Sequence, residues 1–450
     1  MRTTFISLFL IFMSTCLNAQ DRADYKYLNM SSSPFKVDES YLSKHDIVYF
    51  SPTQLEAEGF PMGNGNIGGM IWNNDNGIEL QINKNDLWSK PDKEENDLSV
   101  LKHVARLKID FGIPVFSWIH LKNFEGRLSL QKGETTYKAA TPYSTTTIRT
   151  WLAHDRNVWI LECENLPNEE LTGAEQKATV SLERLGSRSF SGWYAGRFPK
   201  DPKIGIGKTQ SLLNGNDMII EENGDGLHFA VACRIIKEPA SPVIINSHRM
   251  EQKTVKNKFT VLISVVTDRE NKAPVEAARR LLDEAETDGI EQLKADKDNW
   301  YKNFWSNAFM KLGDDYLENI YYLRRYLMAA GSQGEFPVAF NGGLWRWNRD
   351  VMNWVTPHHW NTQQQYWGLC AQNDCQLMAP YLNTYFKMIP SGETLAKEYG
   401  ASDDALLITE AHCFTGEQTG KDREDMRNNF TPASQIFFGI TMRSPETKTF

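Results

Sequence analysis

Residues 271–289 read Asn-Lys-Ala-Pro-Val-Glu-Ala-Ala-Arg-Arg-Leu-Leu-Asp-Glu-Ala-Glu-Thr-Asp-Gly, and the character of the chain changes there. Pro274 stands where a first helical turn tolerates it, because that amide has no partner inside a helix. The Ala- and Leu-rich run after it favours a helix, and Gly289 can end it. Upstream, from about residue 47, the chain reads as strands and turns. Val158-Trp-Ile-Leu-Glu-Cys163, Leu227-His-Phe-Ala-Val-Ala-Cys-Arg-Ile-Ile236 and Lys258-Phe-Thr-Val-Leu-Ile-Ser-Val-Val266 are rich in β-branched and aromatic residues. Asn73-Asn-Asp-Asn-Gly77 and Asn223-Gly-Asp-Gly226 punctuate hairpins. Downstream the period is helical. A second run spans about Ile290 to Met310. A third follows Gly313-Asp314, with Leu317, Ile320, Leu323 and Leu327 as its expected buried face and Gly331 as its end. Helices continue over about Asn361–Cys370, Gln376–Ile389 and Glu393–Tyr399. The expected fold is multidomain β plus α: an antiparallel β-sandwich, then a helical linker, then a helical domain.

Composition sets the outer bounds. The chain has 450 residues, 41% of them hydrophobic, and a formal net charge of −8. Those values suit a globular protein of two or three domains. No basic face is evident, which argues against a nucleic-acid partner. Met1–Ala19 has the grammar of a leader: Arg2, an apolar run from Phe5 to Met13 too short to span a bilayer, and Leu17-Asn-Ala19 as a cleavage site. The expectation is a periplasmic or extracellular protein without a membrane span. Cys16 offers a lipoprotein alternative, which Thr15 fits poorly. The other cysteines, 163, 233, 370, 375 and 413, are odd in number and widely spaced. They make neither a disulfide framework nor a zinc motif; buried free thiols are the expected state, with a bridge such as Cys370–Cys375 as the alternative. The expected segments are 1–19 leader, 20–46 flexible N-terminus, 47–270 sandwich, 271–313 linker and 314–450 helical domain.

Chemistry concentrates between Asn341 and Pro380. Five of the thirteen tryptophans lie there (345, 347, 354, 360 and 367), interleaved with Arg346, Asn348, His358, His359, Asn361 and Gln363–Gln365. Indole faces beside forked hydrogen-bonding groups suit a sugar ring, which has apolar C–H faces and a rim of hydroxyls. The plainer alternative is a helix pair with aromatic core residues and solvated amides. Gly63-Asn-Gly65-Asn-Ile-Gly68 has dinucleotide-fingerprint spacing in the wrong context, since a short strand and not a helix follows. A tight loop at a domain junction is the better reading. Asn74-Asp-Asn-Gly77 lacks the rest of a calcium loop, and His358-His359 lacks a ligand set, so neither metal nor cofactor is expected. Of the nearby carboxylates, Glu335, Asp350, Asp374, Glu410 and Glu417, the first and second read as solvated surface charges. Glu410 sits in a mixed stretch that could raise its pKa, as a general acid needs.

Three ordered stretches resemble glycoside hydrolase family 95. They are Phe60-Pro-Met-Gly-Asn-Gly-Asn-Ile-Gly-Gly-Met-Ile-Trp72 with Leu80-Gln-Ile-Asn-Lys-Asn-Asp-Leu-Trp-Ser89, then Gly343-Leu-Trp345, then Trp360-Asn-Thr-Gln-Gln-Gln-Tyr-Trp367. Asn373 and Pro380 keep the family's spacing after the last. The chain looks more similar still to secreted bacterial proteins whose N-terminal domain is the domain of unknown function 5703. The resemblance implies a β-supersandwich, a helical linker and an (α/α)6 barrel, with inverting hydrolysis chiefly of α-L-fucosides. It implies that Asn361 helps to hold the attacking water. His359 stands where the family has a first asparagine, so the implied substrate is a fucoside or a related sugar, and Gln376 stands where the family has a glutamate. The family's glutamate and aspartate lie farther downstream than Phe450, which leaves Glu410 as the in-chain substitute. Trp345, Arg346, Trp360, Gln364 and Trp367 are expected against an oligosaccharide or polysaccharide. A twelve-helix barrel needs about 300 residues, and Asp314–Phe450 is about half of that. The expectation is therefore an incomplete barrel and a chain without the family's acid, or else a non-catalytic glycan-binding protein.

Overall fold

The computed structural model describes residues 39–408, apart from 89–99, 169–176, 186–208, 225, 240, 340–341, 346–348, 353–358 and 403–404. The expected leader, Arg346, Glu410, Cys413 and Glu417 lie outside the described residues.

Among the described residues, nine antiparallel strands form one sheet, with Ile47–Tyr49 at one edge and Thr209–Asn214 at the other. Seven form a second, running from Val243–Asn246 to Phe60–Gly63, and the short strands Val100–Leu101 and Val351–Met352 pair separately. In the nine-stranded sheet, Val158–Pro167, Lys258–Thr267 and Leu227–Ile236 are hydrogen-bonded neighbours. Alternation along them explains their unbroken apolar character. Val158, Ile160, Leu262 and Val266 face the helix Pro274–Asp288 (α2), while Trp159, Leu161, Val261, Ile263 and Val265 point to the other side. Both sets are buried. A sheet covered on both faces needs no polar side, so the strand reading holds while the period-two signal is weak.

The expected hairpin at Asn73–Gly77 joins Ile67–Asn74 to Gly77–Lys84. The Asn74 side-chain oxygen accepts from the Asn76 amide at 3.0 Å, the local turn that asparagine favours. Gly63–Gly68 is a strand–turn–strand, not a nucleotide loop: Phe60–Gly63 pairs antiparallel with Ile67–Asn74.

Seven helices are described: α1 (Glu39–Ser43), α2, α3 (Ile290–Ser306), α4 (Asp315–Gly331), α5 (His359–Tyr366), α6 (Ala379–Lys387) and α7 (Ile389–Glu398). Helix α2 lays Ala277, Ala278, Leu282 and Ala285 on the outer face of the nine-stranded sheet. A buried leucine of this kind contributes about 1.5–3 kcal/mol. Helix α3 follows, with Trp305 Nε1 donating to Leu130 O at 3.1 Å. It stops at Ser306, short of the expected Met310, because helix α4 takes up the next backbone groups. Arg325 donates to Ala308 O, and the Met310 amide donates to the Tyr322 hydroxyl. Beyond the linker, α4–α7 form an incomplete helical toroid. No described helix is long and apolar enough to cross a membrane.

Helix α4 begins where the sequence says it should. Asp314 accepts from the amides of Tyr316 and Leu317 at 3.0 and 3.2 Å. Its buried face is not the expected one. Leu317 and Ile320 are 50% and 48% exposed, Leu323 and Leu327 are half-buried, and Glu318, Tyr322, Arg325, Tyr326 and Ala329 face inward. The polar groups among them are all partnered. Glu318 accepts from Tyr41 and pairs with Lys44 at 3.2 Å, and Arg325 holds Asp374 through two bonds of 2.8 Å. Ile320→Gln is therefore expected to shift unfolding free energy by no more than about 0.5 kcal/mol, as exposed substitutions do. A drop of several degrees in melting midpoint would show that this face is covered.

Candidate functional site

The stretch that the sequence singles out is anchored to the sandwich by backbone and amide groups. Gly343–Trp345 is a single 3-10 turn. Residues 81, 83 and 85 lie along one side of the strand Gly77–Lys84 and its continuation. Asn83 Nδ2 donates to Leu344 O at 2.8 Å, Gln81 Nε2 to Trp345 O at 3.4 Å, and Asn85 Nδ2 to Gly65 O at 2.6 Å. The Trp345 indole donates to Met62 O at 2.8 Å. Its polar edge is thereby committed to the protein, and only ring surface is left for a ligand. A small recess with room for about one water adjoins this turn, lined by Asn85, Leu101, Gly331, Val338, Gly343 and Leu344.

The same seam explains the glycines. The Gly65 amide donates to Ala330 O, at the end of α4, at 2.8 Å. A Cβ on Gly63 would lie 2.5 Å from Ala330 O, and one on Gly65 would lie 2.3 Å from the Gln333 backbone nitrogen. Asn64 turns the loop by accepting from Asn66 and Ile67 while donating to Ala153 O and Arg156 O. The motif is thus a close-approach seam between sandwich and helices.

Helix α5 carries the other expected residues. Asn361 and Gln364 are exposed, and Trp367, just past its end, is 45% exposed, whereas Thr362, Tyr366 and Leu369 are buried. Asn361 and Gln364 are i, i+3 neighbours on one face. The buried side is fixed by Tyr366, whose hydroxyl meets Ser332 Oγ at 2.7 Å and accepts from the Val338 amide at 2.9 Å. Arg324 donates to Gln365 O at 2.7 Å, a cation at a helix C-terminus. His359 and Trp360 belong to this helix, but their side chains lie outside the described residues, as do Arg346 and Glu410 entirely. Among the described residues no three His, Cys, Asp or Glu side chains converge as a metal site would require.

Of the nearby carboxylates, Glu335 is exposed and pairs with Lys387 at 2.5 Å. Asp350 is a correction. It is fully buried, not solvated: Oδ2 lies 2.7 Å from Arg184 Nη2, and Oδ1 accepts from the His103 amide at 2.9 Å. Arg184 also binds Glu222 at 2.9 Å, and Lys102 binds Glu222 at 2.9 Å. This four-charge cluster escapes a reading of the sequence, because its members come from four separate segments. His103 beside it is fully buried, and neither ring nitrogen has a hydrogen-bond partner among the described residues. Burial first, then Arg184, Arg106 and Arg349, holds it well below its ordinary pKa. The unfolded chain therefore binds a proton below about pH 6.5 that the folded chain refuses. Stability should be lost as pH falls from that value, and His103→Phe should flatten the decline measured by urea unfolding between about pH 6.5 and 5.

Against this geometry, a family model described as domain of unknown function DUF5703, N-terminal part, matches residues 48–185. No curated protein sequence matches the chain. A solved structure from the human microbiome, described as a kojibiose phosphorylase, is 12% identical to this chain, with a TM-score of 0.59. The superposition covers 88% of this chain and 55% of that one. The two share a fold. This chain thus spans about half the length of the structure it matches. A bacterial glucoamylase complexed with acarbose (9% identity, 83% and 56% covered, TM-score 0.41) aligns more loosely. So does an inverting mannosidase of family GH92 from Bacteroides thetaiotaomicron (9% identity, 73% and 45% covered, TM-score 0.38). None of these singles out family 95 or a fucosidase.

Proposed function

We propose that this chain is part of an exported carbohydrate-active enzyme that cleaves a glycosidic bond with inversion. In this reading the exposed face of α5 meets the sugar. The observation that supports it most is the division of that helix: Thr362 and Tyr366 are buried, while Asn361, Gln364 and Trp367 stand at the surface. Two amides and an indole offer hydrogen bonds to hydroxyls and an apolar face to ring C–H groups. In the manner of the family 95 resemblance, Asn361 orients the attacking water, with His359 beside it. Glu410 is the in-chain residue to test as general acid, and Arg346 and Trp360 are further sugar contacts. Export rests on the leader-like Met1–Ala19.

Residues 20–450 assayed on a panel of aryl glycosides, fucosides included, test the reading. Turnover that inverts the anomeric centre supports it. Retention on glycan columns without turnover favours the binding-protein alternative. The shared fold with a protein described as a phosphorylase adds a second reading, in which phosphate replaces water as the attacking group. Dependence of turnover on added phosphate decides between them. In a protein that turns over such substrates, Asn361→Ala is expected to lower kcat about 100-fold with its melting midpoint unchanged, the signature of a lost positioning group. Unchanged kcat would remove Asn361 from the site.

A further inference from the structure

The corner between α5 and α6 brings two half-exposed thiols together. Beyond α5, residues 367–373 continue as turns, and Asn373 takes the left-handed conformation with φ +60°. The Asp374 amide donates back to Leu369 O at 2.8 Å, and the Asn373 amide to Cys370 O at 3.1 Å. Those two bonds, spanning five residues and three, are the Schellman arrangement that reverses a chain after a helical turn. The reversal turns the chain at Cys375 back toward Cys370, and burial first, then Cys375, pushes the Cys370 thiol up to about 12. Both are free and half-buried, unlike Cys163 and Cys233, which are enclosed in the sandwich. Cys370 Sγ also lies 3.2 Å from Met378 Sδ, so the pair sits against a soft, apolar wall.

We propose that Cys370 and Cys375 are a disulfide pair, closed by exchange with a small disulfide, which locks the corner that holds Asp374. The thiolate of Cys375 attacks one sulfur of the small disulfide and expels the other as a thiol. Cys370 then loses its proton to solvent, attacks the Cys375 sulfur and expels the second small thiol. Two protein thiols are oxidised and one small disulfide is reduced. The lock matters because Asp374, next to Cys375, holds Arg325 of α4 through a buried, two-pronged ion pair. An oxidising compartment is where such a bridge persists. The inference does not depend on any activity toward sugars.

Trypsin tests it directly, because no Lys or Arg lies between Arg349 and Lys387 and both cysteines fall in one peptide. The full chain is reduced, equilibrated in its native state with excess glutathione disulfide, alkylated and digested. The expected result is a 350–387 peptide lighter by two hydrogens and free of alkyl groups, while Cys163 and Cys233 are alkylated only after denaturation. The melting midpoint should rise on oxidation in the wild type and not in Cys375→Ser. Alkyl groups or glutathione on both cysteines would overturn the proposal, as would a bridge from either to Cys413. A bridged peptide with an unmoved midpoint would overturn the locking role.

Discussion

Gly65→Ala is expected to destabilise the protein by about 4 kcal/mol or more, a size reserved for collisions and strained backbones. Two independent costs meet there. Gly65 has φ +88°, where an alanine is strained by about 1–2 kcal/mol. The added Cβ would also lie 2.3 Å from the Gln333 backbone nitrogen and 2.7 Å from its Cα. Backbone cannot swing aside as a side-chain tip can, so the turn must part from the end of α4. The bond from the Gly65 amide to Ala330 O would go with it. Gly215→Ala is the control. Gly215 has φ +61° with open space around it, so it should cost only the conformational strain, about 1 kcal/mol. Urea unfolding of both variants separates the effects. Equal losses would mean that the seam yields and the close approach is not structural.

Asp350→Ala is expected to cost about 3–5 kcal/mol, the usual penalty for stripping one partner from a buried ion pair. Arg184, Lys102, Glu222 and Asp350 balance to neutral with none more than 1% exposed. Removing Asp350 leaves a surplus positive charge in a buried place and leaves the His103 amide without its acceptor. Asp350→Asn separates these effects, since it keeps an acceptor and removes only the charge. The pair replacement Arg184→Met with Asp350→Leu should cost less than Asp350→Ala alone, because no unbalanced charge remains. A single-variant loss below about 1 kcal/mol would mean that the cluster is wet.

The parts of the fold that could be read in the sequence are those set by neighbours in the chain. Strands such as Lys258–Thr267 are rich in β-branched residues because both of their faces are covered. Helix α2 shows its proline and its terminal glycine, and the hairpin at Asn73–Gly77 its turn residues. Helix α4 shows its Asp314 cap, yet its apolar period points to the wrong buried face, because inward Glu318 and Arg325 look solvated until Lys44 and Asp374 are placed beside them. Asp350 deceived in the same way: its partner Arg184 is 166 residues away. At the candidate site, the sequence marked the amides and indoles of Asn361, Gln364 and Trp367, which the structure leaves at the surface. It also marked Trp345, whose indole edge the seam consumes. What it could not show is that Gln81, Asn83 and Asn85, spaced by two, hold the loops of that seam. Alternation fixes a face without saying what the face meets.

Helix α2 has a consequence for modularity. Its alanines and Leu282 form a wall of the same cluster as Trp151, Ile160 and Leu262, and α3 adds Leu293. A cut after residue 270, where strands give way to helices, would tear that wall off and leave the tryptophan and its neighbours in water. Any block that recombination or a cloning boundary moves between proteins must therefore keep both linker helices, through Ser306, and also the segment carrying Asp350, which balances the buried Arg184 and Lys102.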